Sequence, residues 1–394
     1  MLNTKFSPWP NFSQQEVDAV SQVLRSNKVN YWTGQEGRKF EKEFANFTDC
    51  QYAVAVANGT LALDLALKTL DISIGDEVIV TPRTFIASIS SIVNAGATPV
   101  FADVELDSQN ISAVTINQVL TEKTKAIICV HLAGWPCEMD DIMMLAKQHS
   151  LYVIEDCAQA HGAKYKGRSV GSIGHIGAWS FCQDKIMTTG GEGGMLTTNN
   201  ETLWRKAWAY KDHGKSYAAV YEKQHPPGYR WLHESFGTNW RLTEMQSAIG
   251  RIQTGKMPEW RATRNQYAQQ ILQCCQPYDF IDVPNIPSYI DHAFYKCYVF
   301  FNSECINHLY SRDEIIAKFN SENIPCFSGS CSEVYLEKAF NNNDLRPKIR
   351  LKNAKKIGGT SLMFLVHPSL TQDEIDLFCK TITDVFTKIV QNSN

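Results

Sequence analysis

The sequence contains no run of about eighteen apolar residues, the length a helix needs to cross a bilayer, so no transmembrane span is expected. The stretch from Met1 to Pro10 lacks an apolar core of signal-peptide length. Excess charge is small, at a formal −3, and leaves no basic stripe for nucleic acid or an anionic membrane surface. Cysteines number twelve, but no CxxC pair occurs; Cys274 and Cys275 are adjacent, and Cys129 sits inside an apolar run. Free buried thiols in a reducing compartment fit this spacing better than disulfides or zinc, so no metal is expected and a cytoplasmic location is. No internal repeat or low-complexity tract is visible.

What remains is a chain of 394 residues, 44% hydrophobic and 20% charged, an ordinary composition for a globular protein. That length exceeds one simple core, so two packed lobes are expected. Apolar runs at 53–56, 77–80, 98–102, 126–131 and 151–156 alternate with helical patterns after Asn58, at 87–95 and at 140–149. This alternation predicts an α/β fold, a mostly parallel sheet covered on both faces, with ligands collecting beyond the carboxyl ends of its strands. The pattern changes near Pro258. A polar helix at 259–272, a strand at 297–301 and helices near 312–320 and 372–390 read as a smaller α+β lobe. The division is therefore 1–258 and 259–394.

Four features fall where strands end and helices begin. Asn58-Gly59-Thr60 precedes a helix; glycine permits close approach and free N–H groups there favour an anion, although Thr60 also suits an ordinary cap. Asp156 ends a strand, where its carboxylate can pair with a protonated pyridine nitrogen or cap the next turn, and Gln159 follows within reach of a ring hydroxyl. Lys185 follows Trp179-Ser180-Phe181 and precedes Gly190-Gly191-Glu192-Gly193-Gly194. A partly desolvated amine there suits a nucleophile, Ser180 can donate to a phosphate, and a solvated lysine before a flexible turn is the plainer account. Phe85 can stack on a planar ring or simply join the core. Together they form one set: phosphate seat, stacking ring, pyridinium partner and amine.

The chain resembles the DegT/StrS family of pyridoxal-phosphate (PLP) sugar aminotransferases over nearly its whole length. The resemblance is carried by Trp32-Thr33-Gly34 with Phe40-Glu41, by 58–63, 75–79 and 84–87, by Gly96-Ala97 and by 155–159. Ser180-Phe181 leading to Lys185 and the glycine turn is the most specific stretch, and 237–242 follows. It implies the large fold-type-I PLP aminotransferase architecture. Lys185 would hold the cofactor as a Schiff base and shuttle the proton. Asp156 would pair with the pyridine nitrogen, Gln159 with the ring oxygen and Phe85 with the ring face. Gly59, Thr60 and Ser180 would bind the phosphate. Asn239 would reach the phosphate of a neighbouring subunit in a homodimer with shared sites. L-Glutamate would be the amino donor and a keto-sugar, a nucleotide-linked keto-deoxysugar destined for cell-surface polysaccharide, the acceptor.

Two stretches depart from the family pattern. Arg83 stands two residues before Phe85, and 325–332 is not the short hydrophobic–histidine pattern of nucleotide-sugar members. Arg83 can bind a phosphate or carboxylate as a fork, which admits an acidic keto-sugar such as an 8-oxo-3-deoxy-octulosonate of lipopolysaccharide; a surface arginine is the bland reading. A sugar-dehydrating branch would carry histidine in place of Lys185. A non-catalytic regulatory protein on the same fold is the rival from another class.

Overall fold

The computed structural model describes residues 6–393. In chain order the strands are β1 (Tyr52–Val56), β2 (Glu77–Val80), β3 (Thr98–Phe101), β4 (Thr124–Val130), β5 (Tyr152–Asp156), β6 (Lys164–Tyr165) and β7 (Arg168–Ser169), then β8 (Ile176–Ser180), β9 (Gly194–Thr198), β10 (Ile281–Asp282), β11 (Ile290–Asp291), β12 (Cys297–Phe301), β13 (Cys326–Phe327) and β14 (Ser361–Phe364). Seven form the main sheet in the order β1-β9-β8-β5-β4-β2-β3. Every neighbouring pair from β3 to β8 is parallel, whereas β9 is antiparallel to both β8 and β1. The sheet is thus mixed and mostly parallel, as the alternating pattern predicts.

Its strands are apolar on both faces because both are covered. Val54, Val78, Ile128 and Ile154 point into one core, which the helix Gly59–Thr69 closes. Ile79, Ile127, Cys129 and Val153 point into a core on the opposite face. The twelve cysteines are free thiols, and no helix among the described residues is long and apolar enough to cross a membrane.

Beyond the sheet, the helix expected at 259–272 is longer than the sequence suggests. It runs Glu244–Cys275 with Pro258 inside it, so the division at 258/259 falls within one continuous element. A proline removes one helical hydrogen bond and crowds the preceding turn, a cost of about 3 kcal/mol. Met257 and Trp260 are buried on either side, and their packing offsets that cost. The second half of this helix joins a separate core with Phe301, Phe319, Phe364 and Phe386. That core lies on a four-stranded antiparallel sheet, β10-β12-β14-β13, with the helices Arg312–Ser321 and Gln372–Ser393. β11 leaves this region to pair with β6, which ties the two parts of the chain together.

Candidate active site

The carboxyl ends of β1, β2, β4, β5 and β8 open on a cavity of about 570 Å³. Seven of the residues singled out from sequence border it: Gly59, Thr60, Phe85, Asp156, Gln159, Ser180 and Lys185.

At one end the helix Gly59–Thr69 begins. Its cap is Asn58, whose side chain accepts from the Leu61 N–H at 2.9 Å. Thr60 is therefore not the cap, and the first two helical N–H groups, on Gly59 and Thr60, lack partners within the helix. Ser180 lies directly opposite. A Cβ built on Gly59 would come within 2.5 Å of the Ser180 Cβ, so only glycine lets these two strand ends approach. Two N–H groups and a hydroxyl facing one space are the donor set of a phosphate seat.

At the other end sits Asp156, buried at the tip of β5. It accepts from Ser88 Oγ at 2.8 Å and from the Ala158 N–H at 3.2 Å. Burial pushes its carboxyl above the usual range, and those two donors only partly offset it. A carboxylate in that state is short of a cation, which a protonated pyridine nitrogen would supply. Gln159 accepts the Ala133 N–H through Oε1 at 2.8 Å, which leaves its amide N–H₂ as the end for a ligand oxygen. Phe85 is 70% exposed at the cavity mouth rather than in the core, open to stack on a planar ring. The residues present fit PLP.

Lys185 lies between this cavity and a second one of about 460 Å³, walled also by Tyr295, Tyr298 and Ser330 from the C-terminal part. Its seat is firm. Ile186 and Met187 are fully buried immediately after it, and Trp9 donates its indole N–H to the Lys185 carbonyl at 2.7 Å. Gly190 and Gly191, at φ of 91° and 128°, turn the chain back into β9. The Lys185 Nζ stands 3.9 Å from Asp184 Oδ1 and 5.2 Å from the Tyr295 ring centroid. Burial acts to raise the Asp184 pKa, but Lys185, the Tyr295 hydroxyl and Lys296 bring it below the ordinary value.

Two sequence candidates stand outside the cofactor cavity. Asn239 is exposed and pairs with Asp212 in an isolated antiparallel bridge. Arg83 is only 1% exposed, which corrects the surface reading. Its Nε donates to Gln109 Oε1 at 2.8 Å, Nη1 to the Ser330 carbonyl at 3.2 Å and Nη2 to Ser361 Oγ at 3.4 Å. Each of the three nitrogens donates to a protein atom, so Arg83 braces the 328–332 loop from outside the residues that border the two cavities. Sequence reasoning missed Trp9, Ser88, Asp184, Tyr295 and Lys296. Only Asp184, beside the lysine, carried a signal in its position; the others arrive from distant segments.

Fold and site together define a PLP-dependent aminotransferase. The pattern of the DegT/DnrJ/EryC1/StrS aminotransferase family matches residues 10–383, and the chain belongs to that family. Its aminotransferases use PLP. The GDP-perosamine synthase of Escherichia coli O157:H7 is 42% identical over 262 residues, 66% of this chain and 68% of its own length. The UDP-N-acetyl-3-dehydro-alpha-D-glucosamine 3-aminotransferase of Acidithiobacillus ferrooxidans is 37% identical over 295 residues, 75% of each chain. An aminotransferase of known structure from Psychrobacter cryohalolentis is 65% identical, covers 98% of this chain and 100% of its own, and superposes with a TM-score of 0.96.

Proposed function

We propose that this aminotransferase moves an amino group from L-glutamate to a nucleotide-linked keto-sugar, in the service of cell-surface polysaccharide. The observation that carries the reading is the place of Lys185, on the wall shared by the cofactor cavity and a second cavity open to a substrate. The sugar class is supported by the relatives, which act on GDP- and UDP-linked sugars.

When bound, PLP supplies an electron sink that lets a proton leave the substrate carbon. This chain's residues do the rest. Gly59, Thr60 and Ser180 hold the phosphate, and Phe85 covers the ring face. Asp156, kept in place by Ser88, pairs with the ring nitrogen, and Gln159 donates to the ring oxygen. In the first half of the cycle the Lys185 amine would take the proton from the donor's carbon and pass it on within the site, and in the second half it would deliver a proton to the acceptor's carbon, a general-base and then general-acid step that needs it close to the reacting carbon. Asp184 and Tyr295 orient the amine. Donor and acceptor use one site in turn, so ping-pong kinetics follow.

Residues 1–258 serve in this reading as the cofactor-binding part and 259–394 as the part that closes over the substrate. The active unit is a homodimer in which Asn239 reaches the partner's phosphate seat; Tyr229, Trp231 and Phe236, large rings exposed just before Asn239, support a subunit contact there. An acidic keto-sugar is the second reading, favoured by Lys296 on the wall of the substrate cavity.

Absorbance spectra of the parent and of Lys185→Ala, with and without L-glutamate, test the proposal. The parent should show the band of lysine-bound PLP and lose it on adding L-glutamate, and keto-sugars should restore it. A PLP-reconstituted parent without band or response would leave a non-catalytic protein on this fold as the better account.

A further inference from the structure

Ser88, Ser90 and Ser91 lie in one short helix, Ala87–Asn94. A helical serine that bonds locally returns its hydroxyl to the carbonyl four residues back. Ser90 does so, donating to the Ile86 carbonyl at 3.1 Å. Ser88 does not. Its Oγ donates to Asp156 Oδ2 at 2.8 Å, 68 residues away in sequence, and lies 3.0 Å from the Thr84 hydroxyl. Thr84, Ser88 and Asp156 are 2%, 1% and 6% exposed, so bulk water does not compete for these bonds. All three border the cofactor cavity, and Thr84 borders the substrate cavity as well.

Counting protons gives this chain one direction. A hydroxyl has a single proton, and an ionised carboxylate only accepts. The Ser88 proton lies in the bond to Asp156, so Ser88 accepts from Thr84, and the Thr84 proton points at Ser88. Each bond in a buried chain polarises the next, which strengthens the last donor. The other Asp156 oxygen accepts from the Ala158 N–H. His131 and Lys185 are the charged or titratable groups acting on this carboxylate, and neither is hydrogen-bonded to it. His131 accepts the Cys137 N–H at Nδ1 and therefore donates through Nε2, to Glu155 at 2.9 Å. Among the described residues, Ser88 is the one side chain that donates to Asp156.

We propose that Thr84 and Ser88 are positioning residues, a one-way hydroxyl chain that keeps Asp156 ionised and the shared proton on the cofactor's ring nitrogen, a role that rests on the pairing of Asp156 with that nitrogen. The segment 84–88 then serves the cofactor twice, through Phe85 at the ring face and through this chain at the carboxylate.

The lysine-bound cofactor reports the state of its ring. A protonated ring nitrogen disfavours a second proton on the Lys185 nitrogen, so losing the first raises the pH at which the second leaves. Asp184, Tyr295 and Lys296, the groups around that lysine nitrogen, are the same in every variant. Absorbance is titrated against pH for the PLP-loaded parent, Ser88→Ala, Ser88→Thr, Thr84→Val, the double variant Ser88→Ala with Thr84→Val, and Asp156→Asn. Ser88→Ala should raise the midpoint by about one pH unit, the usual contribution of a hydrogen bond to a charged group. Its kcat should fall about tenfold with KM little changed. Ser88→Thr should restore both. Thr84→Val should move the midpoint the same way by less. The double variant should move it no further than Ser88→Ala, because Thr84 acts only through Ser88. Unmoved midpoints in Ser88→Ala and Thr84→Val, or single shifts that add in full, overturn the chain. If Ser88→Ala fails to load PLP, Thr84→Val decides alone, and an unmoved midpoint there overturns it. Asp156→Asn separates the chain from the pairing beneath it. If that variant moves the midpoint and the hydroxyl variants do not, the chain alone fails; if it too leaves the midpoint in place, the pairing of Asp156 with the ring fails as well.

Discussion

Tyr295 donates its hydroxyl to Asp184 Oδ2 at 2.5 Å, joining the C-terminal part of the chain to the residue next to the reactive lysine. The other oxygen of Asp184 faces the Lys185 amine. Removing the hydroxyl with Tyr295→Phe keeps the ring and frees the carboxylate to turn. We expect kcat to fall by about tenfold with KM for the keto-sugar nearly unchanged, the pattern of a group that matters to the chemical step more than to binding. Steady-state kinetics check it, and a rise in KM at constant kcat would assign Tyr295 to substrate binding instead.

Asp156→Asn keeps the shape of the side chain and its bond from Ser88 but removes the charge offered to the cofactor ring. Electrostatic stabilisation of this kind commonly contributes roughly a hundredfold or more to rate. The variant should load PLP, absorb at a shifted wavelength and turn over at least that much more slowly. Parent-like turnover would show that no charged pair forms there.

Gly59→Ala places a methyl 2.5 Å from the Ser180 Cβ. Overpacking of this sort costs about 1–3 kcal/mol, and here it also spreads the phosphate seat. Equilibrium dialysis should show PLP binding weakened by tenfold or more. Binding as tight as the parent's would mean the phosphate sits elsewhere.

Acid should destabilise the protein early. Burial holds the imidazoles of His161 and His292 down at about 3, as it does that of His367. In the unfolded chain they titrate near 6.5, so the unfolded state binds more protons below that pH. Their contribution is fully present above about 6.5 and is lost as pH falls, on the order of 1 kcal/mol per histidine for each pH unit. His161 is the sharpest probe, because its ring is fully buried and packs against Trp179 and Phe181. Thermal melts from pH 7.5 to 5 should fall less steeply for His161→Phe than for the parent. Parallel curves would place the acid sensitivity elsewhere.

The strand ends were legible in sequence because a buried parallel strand needs a near-continuous apolar run, and a polar residue closing that run stands out. Asp156 after Val153 and Ile154, and Gly59 after β1, are such cases. Lys185 was legible through the turn that carries it. The rest of the site was not, because it is assembled from afar: Trp9 and Tyr295 reach the lysine from segments 176 and 111 residues distant from their partners Lys185 and Asp184. Arg83 misled for a related reason. A surface arginine was the plain reading of its position, but Ser330 and Ser361, among the partners that bury it, come from the other end of the chain. Pro258 misled through a local rule that tertiary packing overrides.

The anchoring of Lys185 has a consequence for the order in which the protein matures. Trp9 grips the lysine carbonyl, and the residues just before Trp9 are themselves held from the far end: Ser369 donates to the Pro8 carbonyl at 2.7 Å, and Glu374 accepts the Ser7 N–H at 2.6 Å. All seven strands of the main sheet, and the residues that line the cofactor cavity, lie before residue 199. The clasp that fixes the lysine waits until residue 374 has been made. The residues that form the cofactor's place are therefore all synthesised well before those that complete the catalyst.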